Sequence, residues 1–136
     1  MKTTNYYNTF IEIADDCPVQ TAEVPPVKEG KKTAANIQFE MIIDHPYRYT
    51  SDDVIFNVYA LKNNISKKDS EKERTAFFSK GQACLRASPL PKRYGWGIHY
   101  NDEGKIAIYP AGSEEYDKLA NDESLKRIKA VRSKRV

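Results

Sequence analysis

The feature that most constrains the fold is a pair of apolar segments that flank a tight turn near residue 100. Residues 94–100 and 105–109 alternate apolar side chains with polar or small ones, which is the two-residue period of a β-strand. The residues between them, Asn101-Asp-Glu-Gly104, end on a glycine where a hairpin turn needs a positive φ. The chain therefore has to build an antiparallel sheet around this hairpin.

Other segments predict helices that pack against such a sheet. Residues 33–44 carry a wide apolar helical face, with Thr33 as the N-cap and a proline just beyond the end. Residues 66–80 contain a Ser-x-x-Glu capping pattern and precede Gly81, a residue type typical of helix C-caps. A short helix is expected over residues 113–120, which a serine and two glutamates open.

Two segments have more than one interpretation. Residues 50–61 begin with Thr-Ser-Asp-Asp, which is a variant capping box, but their β-branched and aromatic content also suits a strand. We choose the helix because of the cap. Residues 125–131 are either a strand or a frayed helix.

The remaining pieces complete the predicted fold. Residues 9–14 and 83–87 are expected as short strands, and Pro89 and Pro91 bound an irregular loop. The length of 136 residues predicts a single domain, 1–136, with its own core. The predicted fold class is α+β: a small antiparallel sheet with a C-terminal hairpin, packed against about three to four helices.

The charge pattern sets one stretch apart. The chain is 30% charged, yet the 28 residues from Arg74 to Asn101 contain no Asp or Glu. Residues 1–73 carry 12 acids and 9 bases, whereas residues 74–136 carry 7 acids and 13 bases. Such an asymmetry can mark an anion-binding face, and it can equally reflect two solvated surfaces of one small domain.

Within this stretch, six residues combine positive charge with aromatic rings and form the predicted ligand site: Arg86, Lys92, Arg93, Tyr94, Trp96 and His99. Anion recognition uses fixed Arg or Lys donors together with aromatic faces for stacking. Gly95 and Gly97 would leave one strand face nearly bare, as the floor of a pocket. Alternatively, a helix packs on that face and Trp96 belongs to the core. The leading functional prediction is a binding module for an anionic small molecule: a phosphorylated or carboxylated metabolite, or a nucleotide.

Three alternatives belong to other functional classes. Cys84 with His99 would serve a cysteine-dependent enzyme, because a thiol nucleophile needs a base within hydrogen-bond reach. Residues 126–136 form a basic C-terminus, expected to be partly exposed, that would contact nucleic-acid phosphates. The acid-free stretch would instead be an interface if the protein is a homodimer rather than a monomer.

Several common classes lack their motifs in this chain. It contains no P-loop, no Gly-x-Gly-x-x-Gly, no Gly-x-Ser-x-Gly and no His-Glu-x-x-His, so no cofactor is predicted. His45 with Asp44, Asp52 or Asp53 lacks the spacing of a metal motif, and no metal is predicted. Cys17 and Cys84 are not expected to form a disulfide. The sequence shows no signal peptide and no apolar run of the roughly 18 residues that span a bilayer, which predicts a cytoplasmic protein without membrane contact.

Three long motifs run through the chain: Asn8-Thr-Phe-Ile-Glu-Ile-Ala-Asp-Asp-Cys-Pro18, Tyr49-Thr-Ser-Asp-Asp53 and the segment from Phe77 to His99. On these motifs the chain resembles, over nearly its whole length, a family of small uncharacterised bacterial proteins. The resemblance implies a bacterial, cytosolic, stand-alone domain without an assigned activity, and it supplies no catalytic residues. The last third, with its hairpin, acidic-start helix and basic last strand, is similar to the small YdhG-like α+β domains, which bears on the fold alone.

Overall fold

A computed structural model describes residues 2–133 and shows a four-stranded sheet with helices on both faces. In chain order the elements are β1 (Thr9–Glu12), α1 (Ala34–Ile43), α2 (Ser51–Lys62), α3 (Ser70–Phe77), a 3-10 turn (Leu85–Ala87), α4 (Pro89–Lys92), β2 (Trp96–Tyr100), β3 (Ile106–Pro110), α5 (Glu114–Ala120) and β4 (Lys126–Lys129). The predicted α+β class is confirmed. No helix among residues 2–133 has the length and apolar character to cross a membrane.

The sheet is mixed, so the predicted all-antiparallel arrangement is wrong in one pairing. Its strand order is β3-β2-β1-β4. The β1–β2 and β2–β3 pairs are antiparallel, whereas β1 and β4 are parallel. The cause is α5, which carries the chain across the sheet between β3 and β4, and a helical crossover of this kind joins strands that run in the same direction.

The predicted hairpin is confirmed, and its turn chemistry explains why it was visible in the sequence. Strand pairing runs from Trp96 opposite Pro110 to Tyr100 opposite Ile106. Gly104 has a φ of 77°, and a Cβ there would lie 2.9 Å from the Tyr7 ring. Glycine is therefore required at this turn both by the backbone conformation and by the space available.

Both predicted capping boxes close the start of a long helix. The Thr33 side chain accepts from the Asn36 N–H, and the Asn36 amide oxygen accepts from the Thr33 N–H at 2.9 Å. At α2, Thr50 and Asp53 make the same reciprocal pair at 3.1 and 3.0 Å. The choice of a helix over residues 50–61 is thus confirmed, because the cap outweighs the strand propensity of the residues after it.

Three local predictions fail between residues 66 and 92. The strand expected over 83–87 is the 3-10 turn, and the loop expected around the prolines is α4. The Ser88 side chain accepts from the Leu90 N–H and caps α4, and a proline in the first helical turn costs no hydrogen bond. The third helix is shorter than 66–80 and ends with Phe78 as its C-cap instead of Gly81, because the fully buried Phe78 ring turns the chain inward.

Each sheet face has its own core. On one face Ile11, Ile98 and Tyr100 pack under α1, α2 and α4. On the other, α5 places Tyr116 against Phe10. A Cβ at Gly97 would lie 2.5 Å from the Phe10 ring and 2.6 Å from the Tyr116 ring. The bare strand face therefore receives a helix, as the structural alternative expected.

The N-terminal segment is tied to the start of α2 by a buried carboxylate. Asp52 is 2% exposed. Its oxygens accept from the Thr4 N–H at 2.7 Å and from the Thr3 and Thr4 hydroxyls, each at 2.6 Å. This anchor leads the chain past Tyr6 into β1.

Candidate functional site

The six predicted site residues do not converge on one cavity. Trp96 belongs to the core: it is 8% exposed, its ring packs edge-on against Phe39 at 5.1 Å, and its indole N–H donates to the Glu23 carbonyl at 2.8 Å. A tryptophan whose ring and N–H are both satisfied within the fold is not available to stack on a ligand. Trp96 therefore leaves the predicted site.

His99 lies on the opposite sheet face from Trp96 and forms a cluster of its own. Its Nδ1 is 2.7 Å from the Tyr47 hydroxyl, which is also 2.8 Å from the Tyr109 hydroxyl. Burial lowers the pKa of His99, against an opposing effect of Asp122, and burial raises the pKa of Tyr47. Tyr47 has a φ of 60°, a strained value for a side-chain-bearing residue. This hydrogen-bonded group was missed in the sequence, because its members come from three separate segments.

Arg86 is held at the outer edge of β4. Its Nε donates to the Lys129 carbonyl at 2.9 Å, and its own carbonyl accepts from the Val131 N–H at 2.9 Å. Its guanidinium also lies near the Tyr6 hydroxyl. Arg86 is thus on the opposite side of the sheet from His99, and a common ligand for the two is excluded.

Arg93 and Tyr94 are the two predicted residues that line a cavity together. The cavity has a volume of about 250 Å³ and lies between α4 and the start of α1. Besides two prolines, its lining residues are Lys28, Thr33, Ala34, Ala35, Arg93 and Tyr94. Lys92 points elsewhere and is half-buried outside this lining. The sequence prediction therefore holds for one pair out of six.

The fold positions this pair through backbone contacts of the preceding turn. The N–H groups of Arg93 and Tyr94 both donate to the Pro89 carbonyl, at 2.8 and 3.1 Å, and the Tyr94 carbonyl accepts from the Glu23 N–H at 2.8 Å. Gly95 then turns with a φ of 80°, 3.0 Å from the Val19 side chain if a Cβ were present. Gly95 serves a close approach of the chain's own segment, not of a ligand.

The electrostatics of the cavity favour an anion. Its lining contains the cations Lys28 and Arg93 and no carboxylate. The first backbone N–H groups of a helix have no intrahelical acceptor and carry the positive end of the helix dipole. At α1 these belong to Ala34 and Ala35, which line the cavity. Lys28, in the Pro- and Lys-rich connection before α1, was not among the predicted site residues, and its lysines were the available signal.

The structure separates Cys84 from His99, so the predicted thiol–imidazole pair is not formed. The Cys84 Sγ is 3.6 Å from the Tyr6 hydroxyl, and the Tyr6 ring packs on Tyr100 at 5.4 Å. Tyr100 and His99 are consecutive in β2, and consecutive strand residues point to opposite faces. A cysteine enzyme that uses His99 as its base does not fit this geometry.

The residues of the metal alternative are engaged separately. His45 packs on Tyr49 with ring centroids 6.1 Å apart, while Asp52 is bound to the N-terminal segment and Asp53 pairs with Arg74 at 2.9 Å. Within residues 2–133 no three His, Cys, Asp or Glu side chains are placed to share a metal ion.

Part of the basic C-terminus is bound within the fold. Lys129 pairs with Asp15 at 2.5 Å, and Arg127 donates to the Ala120 carbonyl at 3.0 Å. Both lie on the edge strand β4, where charged side chains discourage pairing with another sheet. Residues 134–136 of the predicted basic segment lie outside the described residues, and its contact with nucleic acid stays a prediction.

A comparison with known families identifies the chain only at the level of its family. A family model described as a family of unknown function (DUF6157) matches residues 1–136. No curated protein and no solved structure matches the chain. The chain therefore belongs to this family, which confirms the resemblance to an uncharacterised family. The bacterial origin and the YdhG-like similarity stay predictions.

Proposed function

We propose that this member of a family of unknown function is a binding domain for a small anionic metabolite, with Arg93 as the main contact. The observation that supports the proposal is the cavity of about 250 Å³ that two cations line without any carboxylate. We also propose a cytoplasmic location, which agrees with the two free cysteines. Recovery of the intact protein outside the cytoplasmic fraction would contradict that location.

The chemistry of the lining selects the kind of anion. The planar guanidinium of Arg93 presents paired N–H donors that match the oxygens of a phosphate or carboxylate. Lys28 adds a mobile positive charge, and both side chains are exposed, so they can close on a ligand without a prior desolvation cost. Tyr94 is half-buried and provides an aromatic wall. A ligand with one anionic head and a short organic body would use all three groups.

The cavity size narrows the ligand class. Sites for drug-sized ligands have volumes of roughly 300–1,000 Å³, and this cavity of about 250 Å³ is smaller. A phosphorylated or carboxylated metabolite of a few carbons fits that space better than a nucleotide does. The proposal therefore drops the nucleotide that the sequence alone allowed.

Binding titrations test the proposal. Inorganic phosphate and a panel of small phosphorylated and carboxylated metabolites are titrated by calorimetry and by amide chemical shifts. The shifts are expected at Ala34, Ala35 and Arg93. Arg93→Gln should weaken binding roughly 10- to 100-fold, because a hydrogen bond to a charged group is worth about 1.5–3 kcal/mol. Lys28→Gln should weaken it less.

Lys92→Gln is the matched control. Lys92 is the sequence neighbour of Arg93 and carries the same charge, but it does not line the cavity. Its loss should leave the affinity within about twofold, apart from general screening by salt. Equal losses for Arg93→Gln and Lys92→Gln would mean diffuse charge attraction, and the absence of any binding across the panel would refute the proposal.

A further inference from the structure

Cys84 has hydrogen-bonding surroundings that a structural cysteine does not need. It is half-buried just before the 3-10 turn. Its Sγ lies 3.6 Å from the Tyr6 hydroxyl, and the Tyr6 ring contacts Tyr100 edge-on at 5.4 Å and 80°. Two phenol rings thus stand in sequence next to one thiol.

The hydroxyl of Tyr100 is the unexplained group. Tyr100 is 0% exposed, and its hydroxyl oxygen has no hydrogen-bond partner in residues 2–133. The neighbouring Ser51 hydroxyl makes its hydrogen bonds with Thr4 and Asn5 instead. Buried polar groups in native proteins are nearly always paired, so an unpaired one indicates a function or a bound molecule.

This free hydroxyl faces the thiol environment. Burial raises the pKa of Tyr100, and among the charged forms that act on it are those of Cys84 and Tyr6. The nearby Asp52 carboxylate already accepts three hydrogen bonds from the N-terminal segment and is not a partner for Tyr100. The hydroxyl is thus left as a donor beside Cys84.

Arg86 brings a fixed positive charge to the same place. Burial and the contact with Cys84 raise the pKa of Tyr6, and the Arg86 guanidinium opposes both effects. The guanidinium is held by the Lys129 carbonyl at 2.9 Å. A positive group close to a cysteine favours its thiolate form, which is the nucleophilic form.

A small cavity gives access to the thiol. It has a volume of about 180 Å³ and is lined by Cys84 together with Gln38, Val58, Ala83 and Ser88 among others. Such a space admits a molecule of a few heavy atoms. A small molecule with oxygen atoms that both accept and donate hydrogen bonds would fit between the thiol and the free hydroxyl.

We propose that Cys84 is a peroxide-reactive thiol that takes hydrogen peroxide or a small alkyl hydroperoxide as its oxidant. The thiol first loses its proton to solvent. The thiolate sulfur attacks one peroxide oxygen, an S–O bond forms and the O–O bond breaks. Sulfur gives up two electrons and becomes a sulfenic acid, while the departing oxygen leaves as hydroxide or alkoxide and takes a proton from water. Tyr6 and Tyr100 donate hydrogen bonds to the peroxide oxygens, and Arg86 stabilises the thiolate.

The test uses the full chain and its second cysteine as an internal control. Cys17 is also free and half-buried, but it packs against the hydrophobic core. Protein treated with a small excess of hydrogen peroxide is trapped with dimedone, and the sulfenic acid adducts at the two cysteines are followed by mass spectrometry. Cys84 is expected to react at least tenfold faster than Cys17. Equal rates at the two cysteines would overturn the proposal.

Two substitutions examine the hydrogen-bonding groups. Tyr100→Phe removes only the unpaired hydroxyl and should slow Cys84 oxidation at least fivefold without lowering the melting temperature. Arg86→Gln should slow it further and leave Cys17 unchanged. If Arg86→Gln does not fold, Tyr6→Phe replaces it with the same expected direction. A Cys84 rate that is unchanged in the folded variants shows that the groups are not involved and refutes the site.

Discussion

The buried carboxylate of Asp52 is the polar contact whose loss should cost the most stability. It lies in the first turn of α2 and is 2% exposed. Replacing it with alanine removes the acceptor of three hydrogen bonds, two of them to Thr4, which is itself 5% exposed. The Thr4 N–H and hydroxyl would then stay buried with fewer partners.

The magnitude follows from these contacts. Hydrogen bonds to a charged group contribute about 1.5–3 kcal/mol each, and they are not additive when they share one acceptor. Breaking a buried charged network by removing one member costs about 3–5 kcal/mol, and we expect Asp52→Ala to fall in that range. With an unfolding entropy of about 2.1 cal/mol/K per residue, a chain of 136 residues should lose about 10–17 °C in melting temperature.

Urea and thermal unfolding, followed by circular dichroism, measure the loss. Asp53→Ala is the matched control, because Asp53 has the same charge in the same helical turn but lies at the surface, paired with Arg74. Its loss should cost about 1 kcal/mol. The reasoning is refuted if Asp52→Ala costs no more than Asp53→Ala, or if Asp52→Ala and Thr4→Val together cost the sum of the two single changes.

Single contacts elsewhere carry smaller effects. Gly97→Ala would place a methyl group 2.5 and 2.6 Å from two buried rings and should cost about 1–3 kcal/mol in urea unfolding; an unchanged midpoint would contradict the tight packing of α5. Ser88→Ala removes the α4 cap and the donor to the Gln38 amide oxygen at 2.6 Å, and the same assay should show a loss of about 1–3 kcal/mol. Burial lowers the pKa of His99 despite Asp122, so the unfolded chain binds this proton first as the pH falls below about 6.5. The wild type should therefore lose stability relative to His99→Gln between about pH 7.5 and 5.5, and parallel profiles would count against a lowered pKa.

The elements that the sequence predicted correctly are those with local causes. Thr33 and Thr50 mark helix starts because a capping box needs only residues four positions apart. The hairpin ending at Gly104 is visible for the same reason. The failures over residues 83–92 have tertiary causes: the Ser88 hydroxyl bonds Gln38 on another helix, and no local pattern contains that partner.

The candidate sites depended more strongly on the fold. The acid-free stretch led to Arg93 and Tyr94, but it also suggested Trp96 and His99, which the pleat of β2 places on opposite faces. Lys28 joins the anion cavity only because the connection before α1 passes over α4. A charge pattern shows which residues are basic, and it contains no information on which of them face the same space.

By itself, the sequence determined the α+β class, both capped helices, the hairpin and the absence of the motifs of common enzymes, because these depend on residue spacing over a few positions. Only the tertiary structure decided the parallel pairing of β4, the covering of Gly97 by α5, and the separation of Cys84 from His99. It also placed Cys84 beside Tyr6 and the unpaired Tyr100 hydroxyl. These arrangements depend on the contacts of residues far apart in the chain, which packing selects and local propensity does not record.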